Sequence, residues 1–275
     1  KVLGADFAEV DSYPTRVRLP DGPLMLCHRI MDVTGDAKSM TSGTLETEHD
    51  VVKGAWYLDD GYIPTCIAVE AGQADLFLSG WLGADFHTKG KACYRLLDAN
   101  VKFHDDLPAV GSTINYKIYI REFFFQGETL LFRFGFEATS NGKRFITMED
   151  GCAGFFTEED LALGKGIVRT TMDLKHKPGK YTGDFKALTQ MAEETYNGAQ
   201  LDMLRKGDYV SCFGPQFNGL QLTNPKSLPG LEQEKLNLVD RITKLDPNGG
   251  RFGIGTITGE ADIHPDDWFL TCHFV

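Results

Sequence analysis

The sequence predicts an α+β protein, an antiparallel sheet wrapped on one apolar helix, with that unit begun twice along the chain. Three observations carry the prediction. Residues 24–63 align without a gap to residues 236–275, at an offset of 212, with ten identities in forty positions. One long apolar stretch, "IPTCIAVEAGQADLFLSGWLG" at 63–83, has helical spacing. After it the pattern changes to alternating strands rich in β-branched and aromatic residues.

The elements follow in order. The opening "KVLGADFAEV" is no signal peptide and carries no initiator methionine, so the chain reads as a piece of a longer polypeptide. Each repeat begins with a short apolar stretch ending in an arginine, Arg29 or Arg241. A strand follows, near Ser42–Thr47 in the first copy and Ile254–Glu260 in the second. The identities include Gly43/Gly255, Glu48/Glu260, Asp50/Asp262 and Trp56/Trp268. A single helix is expected over Thr65–Leu82. Three strand segments come next, at 92–103, 112–126 and 128–157. The last contains "SNGK", where Asn141–Gly142 suits the positive φ of a tight hairpin.

Residues 158–227 break the pattern and are expected to form an ordered connector. "KALTQMAEETYNGAQLDMLRKGD" (186–208) reads as helical, interrupted near Asn197–Gly198, and "FGPQFNGLQLTNPKSLPG" (213–230) as turns. The expected organisation is therefore a first domain at 1–157, a connector at 158–227, and the start of a second domain at 228–275. The second copy breaks off soon after it begins, so the fragment alone is expected to be unstable or inactive.

Composition narrows the function. A net charge of -11 argues against a nucleic-acid binder, which needs a basic face. Local groups such as Lys89, Lys91 and Arg95 could still meet an acidic partner. The six cysteines show no C-x-x-C spacing, so they are expected as reduced thiols of a cytoplasmic protein. The apolar stretch at 63–83 carries Glu70, Gln73 and Asp75, too polar for the middle of a membrane span.

Chemistry could sit at three places. On a helical wheel Glu70 falls within about 60° of the apolar face of Ile67, Ala71, Ala74, Leu78, Trp81 and Leu82. Lost hydration there would raise its pKa and suit a proton donor; the alternative is a polar seam anchoring a loop. The helix start at Thr65 and Cys66 offers backbone N–H groups that could stabilise charge developing on a carbonyl oxygen. Cys66 could instead be an activated thiol or a small buried one. His273 lies in "DDWFLTCHFV", read as an apolar strand. Its counterpart in the first copy is Gly61, so the copies diverge at the imidazole. A structural histidine is the alternative.

These residues resemble the hot-dog dehydratases that act on β-hydroxyacyl groups carried on acyl carrier protein. "WFLTCHF" (268–274) matches the family's "W-F-F-P-C-H-F", and "IPTCIAVEA" (63–71) matches "M-P-G-C-L-G-L-D-A". "GWLG" (80–83) and "DANVKFHDDLP" (98–108) look like the segments that follow. The layout looks most like the tandem dehydratase region of polyunsaturated fatty acid synthases. The resemblance implies a hot-dog fold and a double hot-dog arrangement. It implies His273 as catalytic base, Glu70 as acid, and Thr65 and Cys66 at an oxyanion site. Sites of this family form between two units, so His273 of copy two would face Glu70 of copy one. The reciprocal site, with Gly61, would lack its base; the alternatives are a non-catalytic scaffold that binds acyl carrier protein and a hot-dog thioesterase. No cofactor or metal is implied, because the thioester already acidifies the α-proton. The implied partners are acyl carrier protein and other domains of the synthase, with room for a homodimer. Three departures stand out: Gly61 for histidine, Thr65 for the family's glycine, and Glu70 for the commoner aspartate.

Overall fold

The computed structural model describes residues 3–164, 166–179, 193–219 and 234–272. Two compact units divide the chain, Lys1–Gly164 with Asp266–Val275, and Lys165–Pro265. The last ten residues thus group with the first unit, while most of the expected connector and the rest of the second repeat group together.

In the first unit six strands form one antiparallel sheet. They are β1 (Arg29–Thr34), β2 (Gly43–Asp50), β3 (Cys93–Phe103), β4 (Thr113–Gln126), β5 (Thr129–Ser140) and β6 (Lys143–Phe156). Their spatial order is β1-β2-β4-β5-β6-β3. The alternation read from sequence becomes a one-faced core: Leu45, Ile114, Ile118 and Ile120 point inward and are buried. Asn141 and Gly142 take φ of 52° and 74°, as a tight hairpin between β5 and β6 requires.

The apolar stretch packs against this sheet, but not as one helix. It forms α1 (Thr65–Ala71) and α2 (Asp75–Trp81), followed by a short α3 (Ala84–Thr88). The break falls at Gly72–Ala74. A Cβ at Gly72 would sit 2.5 Å from the Phe136 ring, so only glycine lets the chain approach β5 there. The apolar face survives the break, with Ile67, Ala71, Ala74, Leu78 and Leu82 all buried in the core. The Tyr116 hydroxyl donates to the Ala68 carbonyl at 2.8 Å and ties α1 to β4.

The capping box of α4 (Glu158–Ala162), from Thr157 and Asp160, closes the sheet segment. The second unit holds α5 (Thr171–Leu174), α6 (Gly198–Arg205), α7 (Tyr209–Phe213) and a hairpin of β7 (Arg241–Asp246) and β8 (Thr256–Glu260). Asn197 caps α6, so the helix expected from 186 starts in the described chain only at Gly198. Residues 186–192 and 220–230 of the connector reading lie outside the described residues. A small core of Tyr196, Leu201, Cys212 and Ile242 joins α6 and α7 to the hairpin.

The two hairpins obey one register. Arg29 pairs with Glu48 and Thr34 with Thr44 in the first; Arg241 pairs with Glu260 and Asp246 with Thr256 in the second. Both carry an irregularity just past the arginine's neighbour, between 30 and 32 and between 242 and 244. The Arg29 guanidinium grips Asp50 through two bonds of 2.6 and 2.7 Å, and that of Arg241 grips Asp262 through two of 2.9 and 2.5 Å. Even the backbone agrees. The Asp50 N–H donates to His28 Nδ1 at 2.9 Å, and the Asp262 N–H to Asp240 Oδ2 at 2.6 Å. All these positions differ by the offset of the sequence repeat.

Candidate active site

A cavity of about 410 Å³ opens in the first unit beside the helix break. Its wall includes Arg18, Leu19, Glu70, Gln73, Tyr94 and Cys272. These residues arrive from several elements. Glu70 is the next-to-last residue of α1, and Gln73 lies in the break. Tyr94 is the second residue of β3, the edge strand beside β6. Leu76 and Phe155 add apolar surface.

Cys272 comes from the far end of the chain. The segment expected as an apolar strand is instead a helix, α8 (Trp268–Cys272). A five-residue apolar run fits either state, and in the described chain this one has no strand neighbour to pair with. The helix is held in the first unit by specific contacts. The Asp21 N–H donates to the Cys272 carbonyl at 2.8 Å. The Trp268 ring lies against Trp56, centroids 5.6 Å apart. Residues 15–20 line the same cavity, anchored where the Val17 N–H donates to Asp85 Oδ1 at 2.9 Å.

Of the four residues singled out in the sequence, the structure brings Glu70 to this cavity. Glu70 is half-buried, and the Gln73 side-chain amide donates to its Oε2 at 3.4 Å. Thr65 and Cys66 stand exposed at the start of α1, and the cavity wall does not include them. His273 lies outside the described residues; its chain neighbour Cys272 is the last described residue and lines the cavity with Glu70.

The position equivalent to His273 is built differently. Gly61 has φ of 85° and Asp60 of 44°, and the Asp59 and Tyr62 backbones bond to each other across them. Two successive positive φ values define a tight turn that favours glycine. The first copy spends this position on a turn.

One polar residue was not singled out. Asp75, the first residue of α2, is fully buried. The Tyr94 hydroxyl donates to its Oδ2 at 3.2 Å, and its Oδ1 has no partner among the described residues. Burial pushes the Asp75 carboxyl well above the usual carboxylate range, and the charge of nearby Glu70 adds to this. Burial likewise pushes the Tyr94 hydroxyl up. On the wheel Asp75 falls about 80° from Ile67, just outside the apolar stripe, so periodicity gave no sign of its burial.

Among the described residues no cluster of three His, Cys, Asp or Glu is placed to hold a metal ion, and no helix is long and apolar enough to cross a membrane.

Residues 231–275 match the model of the FabA-like domain. The whole chain is 34% identical to a subunit of the polyunsaturated fatty acid synthase of Thraustochytrium sp. over 281 aligned residues. It spans 18% of that relative's length. Among solved structures, the dehydratase heterocomplex ApeI:P from Xenorhabdus doucetiae is 20% identical, with a TM-score of 0.39 over 56% of this chain and 94% of that one. A hypothetical thioesterase with coenzyme A from Streptococcus pneumoniae is 13% identical, with a TM-score of 0.29 over 46% and 86%.

Proposed function

We propose that this chain, related along its whole length to part of a polyunsaturated fatty acid synthase, is a double hot-dog dehydratase region acting on β-hydroxyacyl thioesters carried by acyl carrier protein. The observation that carries the reading is that Glu70 and Cys272 line one cavity. Cys272 sits next to His273, within the segment that matches the FabA-like domain. The acid comes from the first copy and the base from the second.

In this reading the His273 imidazole removes the α-proton of the thioester. The electrons of that C–H bond form the Cα=Cβ bond as the Cβ–O bond breaks. Glu70 acts as the acid and gives a proton to the departing hydroxyl, which leaves as water. The product is a trans-2-enoyl thioester, and no electrons are gained or lost overall. The apolar wall of Leu19, Leu76 and Phe155 receives the acyl chain.

The repeat supports a second hot-dog domain beginning at 228. Leu45 on the inner face of β2 is 0% exposed, covered in the core shared with α2. Its equivalent on β8, Ile257, is 64% exposed. The inner face of the second hairpin is the face that a central helix covers in the first. The reciprocal site has Gly61 for its base and is inactive.

The test is dehydration of a 3-hydroxyacyl thioester by the intact polypeptide, followed through the enoyl product. His273→Ala and Glu70→Gln should each lower kcat by about 100-fold or more. Either variant at the full wild-type rate overturns the reading.

A further inference from the structure

We propose that Asp75 and Tyr94 form a positioning pair that fixes the Glu70 wall of the cavity, with Asp75 as a neutral carboxylic acid that takes no part in proton exchange with substrate. The inference rests on the dehydratase reading and adds two residues to it.

Three geometric facts carry it. Asp75 is fully buried, and among the described residues no cation pairs with it. Burying an isolated carboxylate costs far more than burying the acid, so the group stays protonated. Next, the Tyr94 hydroxyl is bonded to Asp75 Oδ2 at 3.2 Å while Tyr94 itself lines the cavity. The tyrosine is hung from the buried carboxyl and presents part of its surface to the site. Finally, Asp75 opens α2 directly after the break that holds Gln73, whose amide reaches Glu70. The pair therefore secures the turn that sets both Gln73 and the end of α1.

The charged or titratable groups that act on Asp75 are Tyr94 from β3 and Glu70 from α1. An ionised Asp75 would place a negative charge beside the proton donor Glu70. Keeping it neutral leaves Glu70 as the one carboxyl of this wall that trades a proton with the substrate. The same condition has a signature in stability. An aspartate in the unfolded chain ionises near pH 4. Above that pH the unfolded state binds fewer protons than the folded one, so stability falls as pH rises toward the elevated pKa of Asp75.

The experiment uses the intact polypeptide bearing Asp75→Asn, Asp75→Ala or Tyr94→Phe. It reads kcat, KM and the pH profile with a 3-hydroxyacyl thioester, and the pH dependence of thermal unfolding. Asp75→Ala and Tyr94→Phe should lower kcat about tenfold or more through misplacement, with smaller changes in KM. Asp75→Asn should recover most of what Asp75→Ala loses and keep the wild-type pH profile. Its Tm should exceed the wild type's above about pH 5 and match it below about pH 4. An Asp75→Asn variant as impaired as Asp75→Ala, with one limb of the pH profile gone, overturns the proposal and makes Asp75 a proton-exchanging group. So does a wild-type Tm no more pH-sensitive than that of Asp75→Asn. If the wild type does not turn over the thioester, the dehydratase reading falls, and the unfolding comparison still decides whether Asp75 is neutral.

Discussion

Trp56 and Trp268 occupy equivalent positions of the repeat and pack against each other, ring centroids 5.6 Å apart and planes at 61°. The pair is further fixed because the Trp56 indole N–H donates to the Pro23 carbonyl at 3.2 Å. A double-mutant cycle with Trp56→Ala and Trp268→Ala should give a coupling of about 0.5–1.5 kcal/mol in chemical unfolding. Strict additivity would show that the ring contact contributes nothing.

Equivalent positions need not be equivalent in energy. Leu45 is fully buried and Ile257 is 64% exposed. In this chain Leu45→Ala should cost about 2–5 kcal/mol, and Ile257→Ala should stay within about 0.5 kcal/mol. Urea unfolding of the two variants checks the contrast.

Restoring the missing histidine of the first copy should fail. At Gly61, φ of 85° in a turn of two positive-φ residues strains any side chain with a Cβ. Gly61→His should destabilise by about 1–2 kcal/mol and add no dehydration activity. A variant with higher kcat and an unchanged Tm would contradict both statements.

The helix break should be intolerant of even a methyl group. A Cβ at Gly72 would meet three atoms of the Phe136 ring within 2.8 Å. Gly72→Ala is expected to cost about 1–3 kcal/mol through overpacking, although alanine is the better helix former. A more stable Gly72→Ala protein would show that the ring yields freely.

Acid should weaken the first hairpin through Asp50. The bonds from Arg29 and Thr113 hold its carboxyl well below the usual range. As pH falls below about 4, the unfolded chain takes up the proton first. The contribution of Asp50 is complete above that pH and fades as pH drops toward its depressed value. Asp50→Asn should therefore flatten the pH dependence of Tm below about pH 4. An unchanged acid limb would rule out this ion pair as its source.

Much of the fold was legible because its signals are local or repeated. Alternation with β-branched and aromatic enrichment marked β3, β4, β5 and β6, and Asn141–Gly142 marked the hairpin between the last two. The self-alignment matched the two segments that fold as arginine-gripped hairpins, although it marked only one strand in each. The close approach at Gly72 was not legible, because the ring it meets, Phe136, lies on β5 more than sixty residues away. The helix at Trp268–Cys272 was not legible either, since five apolar residues do not distinguish strand from helix.

The sequence by itself determined the α+β class, the tandem repeat, and Glu70 with His273 as the residues to question. Periodicity, turn chemistry and self-similarity are properties of the chain order. Only the tertiary structure decided that Cys272 shares a cavity with Glu70, that Asp75 is sealed from water, and that Thr65 and Cys66 stand outside that cavity. Burial and proximity depend on which distant elements close over a residue. For Asp75, about 80° from the centre of an apolar face, that closure is what turns a surface carboxylate into a buried acid.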